Sequence, residues 1–219
     1  MSEVILQKDA IRIERVVTSG TFSLDGGTWD VDNNVWLIGD DDDCIVIDPA
    51  HDAGPILEAV GGRRLTGVLC THAHDDHIGA AGEVCAATGA LPFLNLEDRM
   101  LWDRVYSEGP ERELVDGDIV DIAGTRMNVL HTPGHSPGSC CFYAPFLKVV
   151  FTGDTLFQGG PGATGRSFSD FDTIIESISQ KLFALPLDTT VLTGHGDSTT
   201  IADEAPHLEE WVAAHREND

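Results

Sequence analysis

Four times in these 219 residues an apolar run ends at Gly, Thr or Pro, with histidine or aspartate close behind. The stretches are "LCTHAHDDHIGAAG" from Leu69, "LHTPGHSPGS" from Leu130, "VVFTGDTLF" from Val149 and "TVLTGHGDS" from Thr190. Short apolar runs bounded by turn residues read as buried strands. In a layered α/β arrangement the ends of such strands gather along one edge, where loops carry the chemistry. The chain must therefore build sheets that bring four separate strand ends to one place.

The remaining pattern agrees with a layered architecture. "NNVWLIGDDDDCIVIDPAHD" reads as a hairpin, Val35 to Ile38 against Cys44 to Asp48, with the acidic run Asp40 to Asp43 as a solvated turn. "DAGPILEAVGG" reads as a helix capped by Asp52 and stopped by Gly61-Gly62. The strand "LTGVLC", the small-residue helix "GAAGEVCAATG", the strand "ALPFLN" and a helical segment around Leu96 to Tyr106 follow. Further strands are expected over Ile119–Ile122, Met127–Leu130, Ser139–Tyr143, Leu147–Phe151 and "TTVLTG". Ile174, Ile175, Ile178 and Leu182 have the spacing of an amphipathic helix, and a last helix runs through Leu208 and Trp211. No linker or low-complexity tract divides the chain, so residues 1–219 are expected to form a single domain with sheets inside and helices outside.

Composition excludes several partners. Thirteen basic against 37 acidic residues give a formal charge of −24. Nucleic acid and anionic membrane surfaces both need a basic footprint that this chain lacks. The charge reads as a solvated surface, with a small share in ligand carboxylates that bound cations neutralise. The N-terminal "MSEVILQKDAIRIERVV" is broken by charges, and no apolar stretch reaches the length of a membrane span. Five cysteines, two of them adjacent at Cys140 and Cys141, do not form a disulfide framework. Buried free thiols and a cytoplasmic location are expected.

His72 and His74 lie two apart, so in an extended segment their imidazoles leave on the same side and can share one cation. Asp76 and His77 lie beyond, where a tightening turn can aim them at a second position. Imidazole with carboxylate suits zinc, iron or manganese, and the absence of thiolate disfavours a purely structural zinc site. His135, Asp154 and His195 supply further donors of the same kind.

"THAHDDH" resembles the HxHxDH signature of the metallo-β-lactamase superfamily, and with His135, Asp154 and His195 in order all seven ligand positions of its dinuclear hydrolases are filled. The likeness runs from Val35 to about Thr200 and is strongest to the short, single-domain branch of glyoxalase-II-like thioesterases, through "HTPGHSPGS", "FTGDTLF" and "TGHGDSTT". It implies an α+β fold, the αββα sandwich of two mixed β-sheets packed face to face with helices on the outer faces. It also implies two divalent ions, zinc expected, one held by His72, His74 and His135 and the other by Asp76, His77 and His195. Asp154 would bridge the two, Asp76 and Asp154 would be the carboxylates of the catalytic centre, and Asp48 would order the loop beneath it. Asp48 also reads simply as a turn former before Pro49.

The function that follows is hydrolysis of an acyl thioester of a small thiol. A paired-metal site activates water without a Ser or Cys nucleophile, and no G-x-S-x-G elbow is present. Thiolates depart without protonation, so a site lacking a general acid suits them. "GRSFSDF" resembles a "GR-S-DF" element of the short branch, which makes Arg166 a candidate grip for a substrate carboxylate or polar headgroup, against the alternative of a surface salt bridge. Full-length glyoxalase II carries a C-terminal domain that binds glutathione; acidic "ADEAPHLEEW" stands here instead, and a mycothiol-type carrier fits equally. Two other activities use the same ligands: a persulfide dioxygenase with one iron on His72, His135 and Asp154, and a dinuclear lactonase. His131 reads as a loop hydrogen-bonder, and His51, His207 and His215 as surface or helix residues.

Overall fold

A computed structural model describes residues 2–110 and 112–218. The first sheet contains β1 (Glu3–Lys8), β2 (Ile11–Leu24), β3 (Gly27–Gly39), β4 (Asp43–Ile47), β5 (Arg64–Leu69), β6 (Pro92–Leu94) and β7 (Arg112–Glu113), in that spatial order. Strands β1 to β4 pair antiparallel, and β4 to β7 run parallel. The second half of the chain adds β8 (Ile119–Ile122), β9 (Thr125–His131), β10 (Cys140–Ala144), β11 (Val149–Gly153), the small hairpin β12 (Leu156–Phe157) and β13 (Gly160–Pro161), then β14 (Thr190–Thr193) and β15 (Thr199–Thr200). Its six-stranded sheet has the order β15-β14-β11-β10-β9-β8, with only the β11–β14 pair parallel.

Side-chain alternation creates three apolar layers. In β4, Ile45 and Ile47 face the second sheet, where they meet Phe142, Phe151 and Leu192, while Cys44 and Val46 face outward. The outer face of the first sheet is covered by α1 (Ala53–Val60), α2 (Asp75–Ile78), α3 (Ala81–Thr88) and α4 (Arg99–Trp102) through Ile56, Ile78, Val84 and Leu101. The outer face of the second is covered by α5 (Phe171–Ser177), which runs into a π-helical turn at Ile178–Leu182, with α6 (Ile201–Glu204) and α7 (Leu208–Asn218). The architecture is an αββα sandwich, as the sequence predicts. No helix of the described residues is long and apolar enough to cross a membrane.

The sequence reading assigned no strand before Val35. Instead β2 and β3 form a hairpin paired continuously from Arg12↔Gly39 to Leu24↔Gly27. Its turn is Asp25-Gly26, both with positive φ, 53° and 79°. That conformation matches the twist of the flanking strands and favours Asp-Gly. The segment Leu96–Tyr106 is a 3-10 turn at Leu96–Asp98 followed by the short α4 rather than one helix.

The topology places the site. Strands β4 and β5 are parallel neighbours, and β9, β11 and β14 share one direction, because two antiparallel steps separate β9 from β11. Their C-terminal ends carry Asp48, His72 to His77, His135, Asp154 and His195. Bonds between the sheets lock this edge. Asn34 N–H donates to Gly194 O at 2.8 Å, Trp36 Nε1 to Thr193 O at 3.0 Å, and Cys140 N–H to Thr71 O at 2.7 Å.

Candidate metal centre

The first group forms around His72, His74 and His135, which are buried together with ligand atoms within 4.8 Å of one another. For His72 and His135, hydrogen bonds on the far side of the ring decide which nitrogen faces inward. Thr71 Oγ1 donates to Asp48, so it accepts from His72 Nδ1 at 3.1 Å, and His72 Nε2 is left bare toward the centre. His135 Nδ1 donates to Ala163 O at 2.8 Å and turns its Nε2 inward. His74 faces both through Nδ1, 3.0 Å from each Nε2. One His74 N–H satisfies at most one of these two nitrogens.

The second group is Asp76, His77 and His195, also within 4.8 Å. The single turn of α2 carries Asp76 and His77 onto one side. His77 Nδ1 donates to Asp48 Oδ2 at 3.0 Å and His195 Nδ1 to Asp32 O at 2.7 Å, so both point Nε2 inward, 3.3 Å apart. Asp154 stands between the groups: Oδ1 is 3.2 Å from His77 Nε2, and Oδ2 is 3.4 Å from His195 Nε2 and 3.6 Å from His135 Nε2. Its Oδ1 is buried without a hydrogen-bond partner. Bare imidazole nitrogens and an unpartnered carboxylate oxygen, converging with no thiolate among them, fit divalent cations of the zinc, iron or manganese kind.

The two groups differ electrostatically. Burial, with His77 and His74 adding repulsion, holds His72 well below the ordinary imidazole value. Burial and then His135 bring His74 down to about 3. In the second group burial opposes protonation, but the carboxylates outweigh it. Asp154 and Asp76 hold His77 well above its ordinary value, and Asp154 lifts His195 to about 10. The same attraction, against burial, keeps Asp154 well below the carboxylate range. In the first group His72 and His74 are thus uncharged rings, whereas the second is a network of imidazolium and carboxylate.

Three buried groups hold the donors, and two of them escaped the sequence reading. Asp48, itself in the left-handed region at φ 52°, accepts from Thr71 N–H and Oγ1–H at 2.7 Å each as well as from His77. Asp98, fully buried, accepts from Ala73 N–H at 3.0 Å, Ser136 Oγ–H at 2.7 Å and Gly138 N–H at 2.6 Å. It therefore ties the His72–His74 loop to the His135 loop. Asn33 Nδ2 donates to Asp76 Oδ2 at 3.1 Å, and Asn33 Oδ1 pairs with His51 Nε2 at 2.7 Å. His51 is thus half-buried support for the second group, not the surface residue expected. Nothing in "NLEDRM" or "VDNNV" marks Asp98 or Asn33, whose partners lie far along the chain. At Gly194 a Cβ would stand 2.4 Å from Asp154 Oδ1, so only glycine permits the approach.

A cavity of about 380 Å³ opens over the donors, within the range of small-molecule sites. One wall is a ladder: Phe22 lies 5.0 Å from the His74 ring, Trp29 stacks on Phe22 at 5.7 Å, and the Arg166 guanidinium lies 4.0 Å over Trp29. Arg166 forms no ion pair among the described residues; it rests on aromatic faces instead of in the surface salt bridge held as the alternative. His131 Nε2 donates to Pro137 O at 2.8 Å, His207 pairs with Glu210, and His215 stacks on Phe171, all away from the centre. The five cysteines form no disulfide among the described residues; four are buried and Cys85 is partly so. Burial pushes the Cys44 and Cys141 thiols up to about 11, so neither is a nucleophile at neutral pH.

The metallo-beta-lactamase superfamily model matches residues 28–195. The probable metallo-hydrolase YqgX of Bacillus subtilis is 34% identical over 186 residues, 78% of this chain and 88% of its own. The hydroxyacylglutathione hydrolase GloC of Haemophilus influenzae is 35% identical over 188 residues, 78% of this chain and 89% of its own. Among solved structures, TTHA1623 in a di-iron-bound form superposes with a TM-score of 0.70 at 30% identity, covering 86% of this chain and 96% of that one. The chain belongs to the metallo-β-lactamase superfamily.

Proposed function

We propose that this superfamily member is a dinuclear metal-dependent hydrolase that cleaves acyl thioesters of a small thiol. The observation that carries the reading is the pair of complete donor groups, His72/His74/His135 and Asp76/His77/His195, joined by Asp154. Two divalent ions, zinc in our reading, supply an activated water and polarise the carbonyl when bound. The chain's own residues do the rest. The outer N–H groups of His77, His195 and His135 donate to Asp48, Asp32 O and Ala163 O, which fixes the inner nitrogens before substrate arrives. Asp76 and Asp154 are the carboxylates placed to take the proton from the attacking water. As the C–O bond forms the C–S bond breaks, leaving acid and thiolate; no acid is needed, because a thiol's pKa lies near 8–9.

Arg166 is the grip for an anionic group on the substrate. Eight of the chain's thirteen basic residues are paired with carboxylates. Among the described residues Arg166 is in no ion pair, and it borders the cavity with its guanidinium set against the Trp29 and Phe22 rings. The Phe22 ring centroid lies 5.1 Å from the guanidinium and 5.0 Å from the His74 ring. No more than those two spacings separate the cation from the His74 ring, a reach that suits a small carboxylate-bearing thiol rather than a long pantetheine arm. The five uncrosslinked thiols fit a reducing compartment such as the cytoplasm.

A one-iron dioxygenase on His72, His135 and Asp154 would leave Asp76, His77 and His195 without a task, although their inner nitrogens are already fixed. Thiol release from acyl thioesters of several small thiols, beside a chelated sample and a His74→Ala variant, tests the proposal. Release that both controls abolish supports it. No release from any thioester or lactone, with oxygen uptake on a persulfide, overturns it.

A further inference from the structure

The cavity has two unlike sides. On the side of His74 the aromatic ladder ends in the Arg166 cation. On the side of His195 the wall is Phe157, whose ring lies 6.1 Å from the His195 ring. Val31 of β3 shares the hairpin face of Phe22 and Trp29, and Asp32, whose carbonyl accepts from His195 Nδ1, alternates to the other face of the strand. Apart from the candidate metal ligands, then, the His195 side offers apolar surface.

We infer that the thioester lies across the centre with its thiol carrier along the Arg166 side and its acyl group against Phe157, and that the acyl group is apolar. This rests on the thioesterase reading. Outside the metal centre, Arg166 is the one arginine or lysine among the described residues that line the cavity, so an anionic carrier is drawn to the Arg166 arm and leaves the acyl group the opposite wall. There a methyl or methylene replaces water on an apolar surface and gains from burial. A hydroxyl at the 2-position loses its water without a side-chain partner. The site therefore favours simple or branched apolar acyl groups over 2-hydroxyacyl groups such as lactoyl.

The test is a series of glutathione thioesters, acetyl, butyryl, hexanoyl, isobutyryl and D-lactoyl, with each kcat/KM divided by that thioester's rate with hydroxide ion. Isobutyryl and lactoyl differ only by a methyl in place of the hydroxyl. The expected result is a rise of about fourfold per added methylene until the wall is covered. Isobutyryl should exceed lactoyl about tenfold. In Phe157→Ala the chain-length slope flattens and the isobutyryl-to-lactoyl ratio falls toward one. The wild-type series decides the matter even should that variant fold poorly. Hydrolysis with lactoyl equal to or above isobutyryl overturns the acyl assignment and leaves the thioesterase standing. If these glutathione esters and the other thiols' esters all stay intact, the thioesterase reading itself fails.

Discussion

Asp98 offers the sharpest test of how the centre is held. Replacing it with alanine removes the acceptor for Ala73 N–H, Gly138 N–H and the Ser136 hydroxyl at once. A buried donor left unpaired costs about 1–3 kcal/mol, so three orphaned donors set a ceiling of several kcal/mol. Against this, burial keeps the Asp98 carboxyl above its ordinary pKa despite its three donors. The charge is thus costly in the native protein, and its removal recovers part of the loss. The balance is a destabilisation of about 3 kcal/mol, which lowers Tm by roughly 6–12 °C in a chain of this size. The effect on metal should be more telling. Ala73 lies between His72 and His74, and Ser136 and Gly138 follow His135, so the loops drift apart and affinity at the first group falls about 10–100-fold. The measurement is thermal unfolding of chelated protein, then competition for zinc against a chromophoric chelator in a His195→Ala background that isolates the first group. Asp98→Asn, which keeps one acceptor oxygen but opposes an amide to a donor, should fall between alanine and wild type. Both variants within 2 °C of wild type and binding zinc equally would refute the reasoning.

Two further outcomes follow from the electrostatics of the centre. In the metal-free protein His77 and His195 are protonated at neutral pH, whereas His72 and His74 are not. Metal entering the second group must therefore expel their protons, and its affinity should rise with pH above neutrality by up to about two log units per pH unit. Calorimetry in buffers of different ionisation enthalpy counts those protons, and zero release at the second group would contradict the assignment. The raised His195 pKa also gives metal-free protein stability that is fully present below pH 6.5 and lost as pH climbs through about 10, which chelated samples melted across that range should show. For the proposed grip, Arg166→Gln should raise KM about tenfold for carboxylate-bearing thioesters with kcat within twofold, and leave esters of uncharged thiols unaffected. Equal effects on both would assign Arg166 to the wall alone.

The local pattern of apolar runs ending at His and Asp was enough to mark the strands that carry the site, seven candidate donors and the superfamily, because strand periodicity and metal-ligand chemistry are short-range properties of adjacent residues. "DAGPILEAVGG" and "TTVLTG" were legible for the same reason: their caps and branched side chains lie within the segment. The N-terminal hairpin was in principle legible too, since "LDGG" is a two-residue turn between strands, but a reading for targeting signals passed over it. What tertiary structure alone decided is which remote groups serve the centre. Asp98 is 38 residues from Ser136 and Asn33 is 43 from Asp76, so no window of sequence contains both partners. The same holds for Arg166, whose place at the cavity rim depends on Trp29 of the hairpin. Donors are written into strand ends by local chemistry. Their orientation, protonation and substrate walls come from contacts that exist only once two sheets have closed on each other and excluded water.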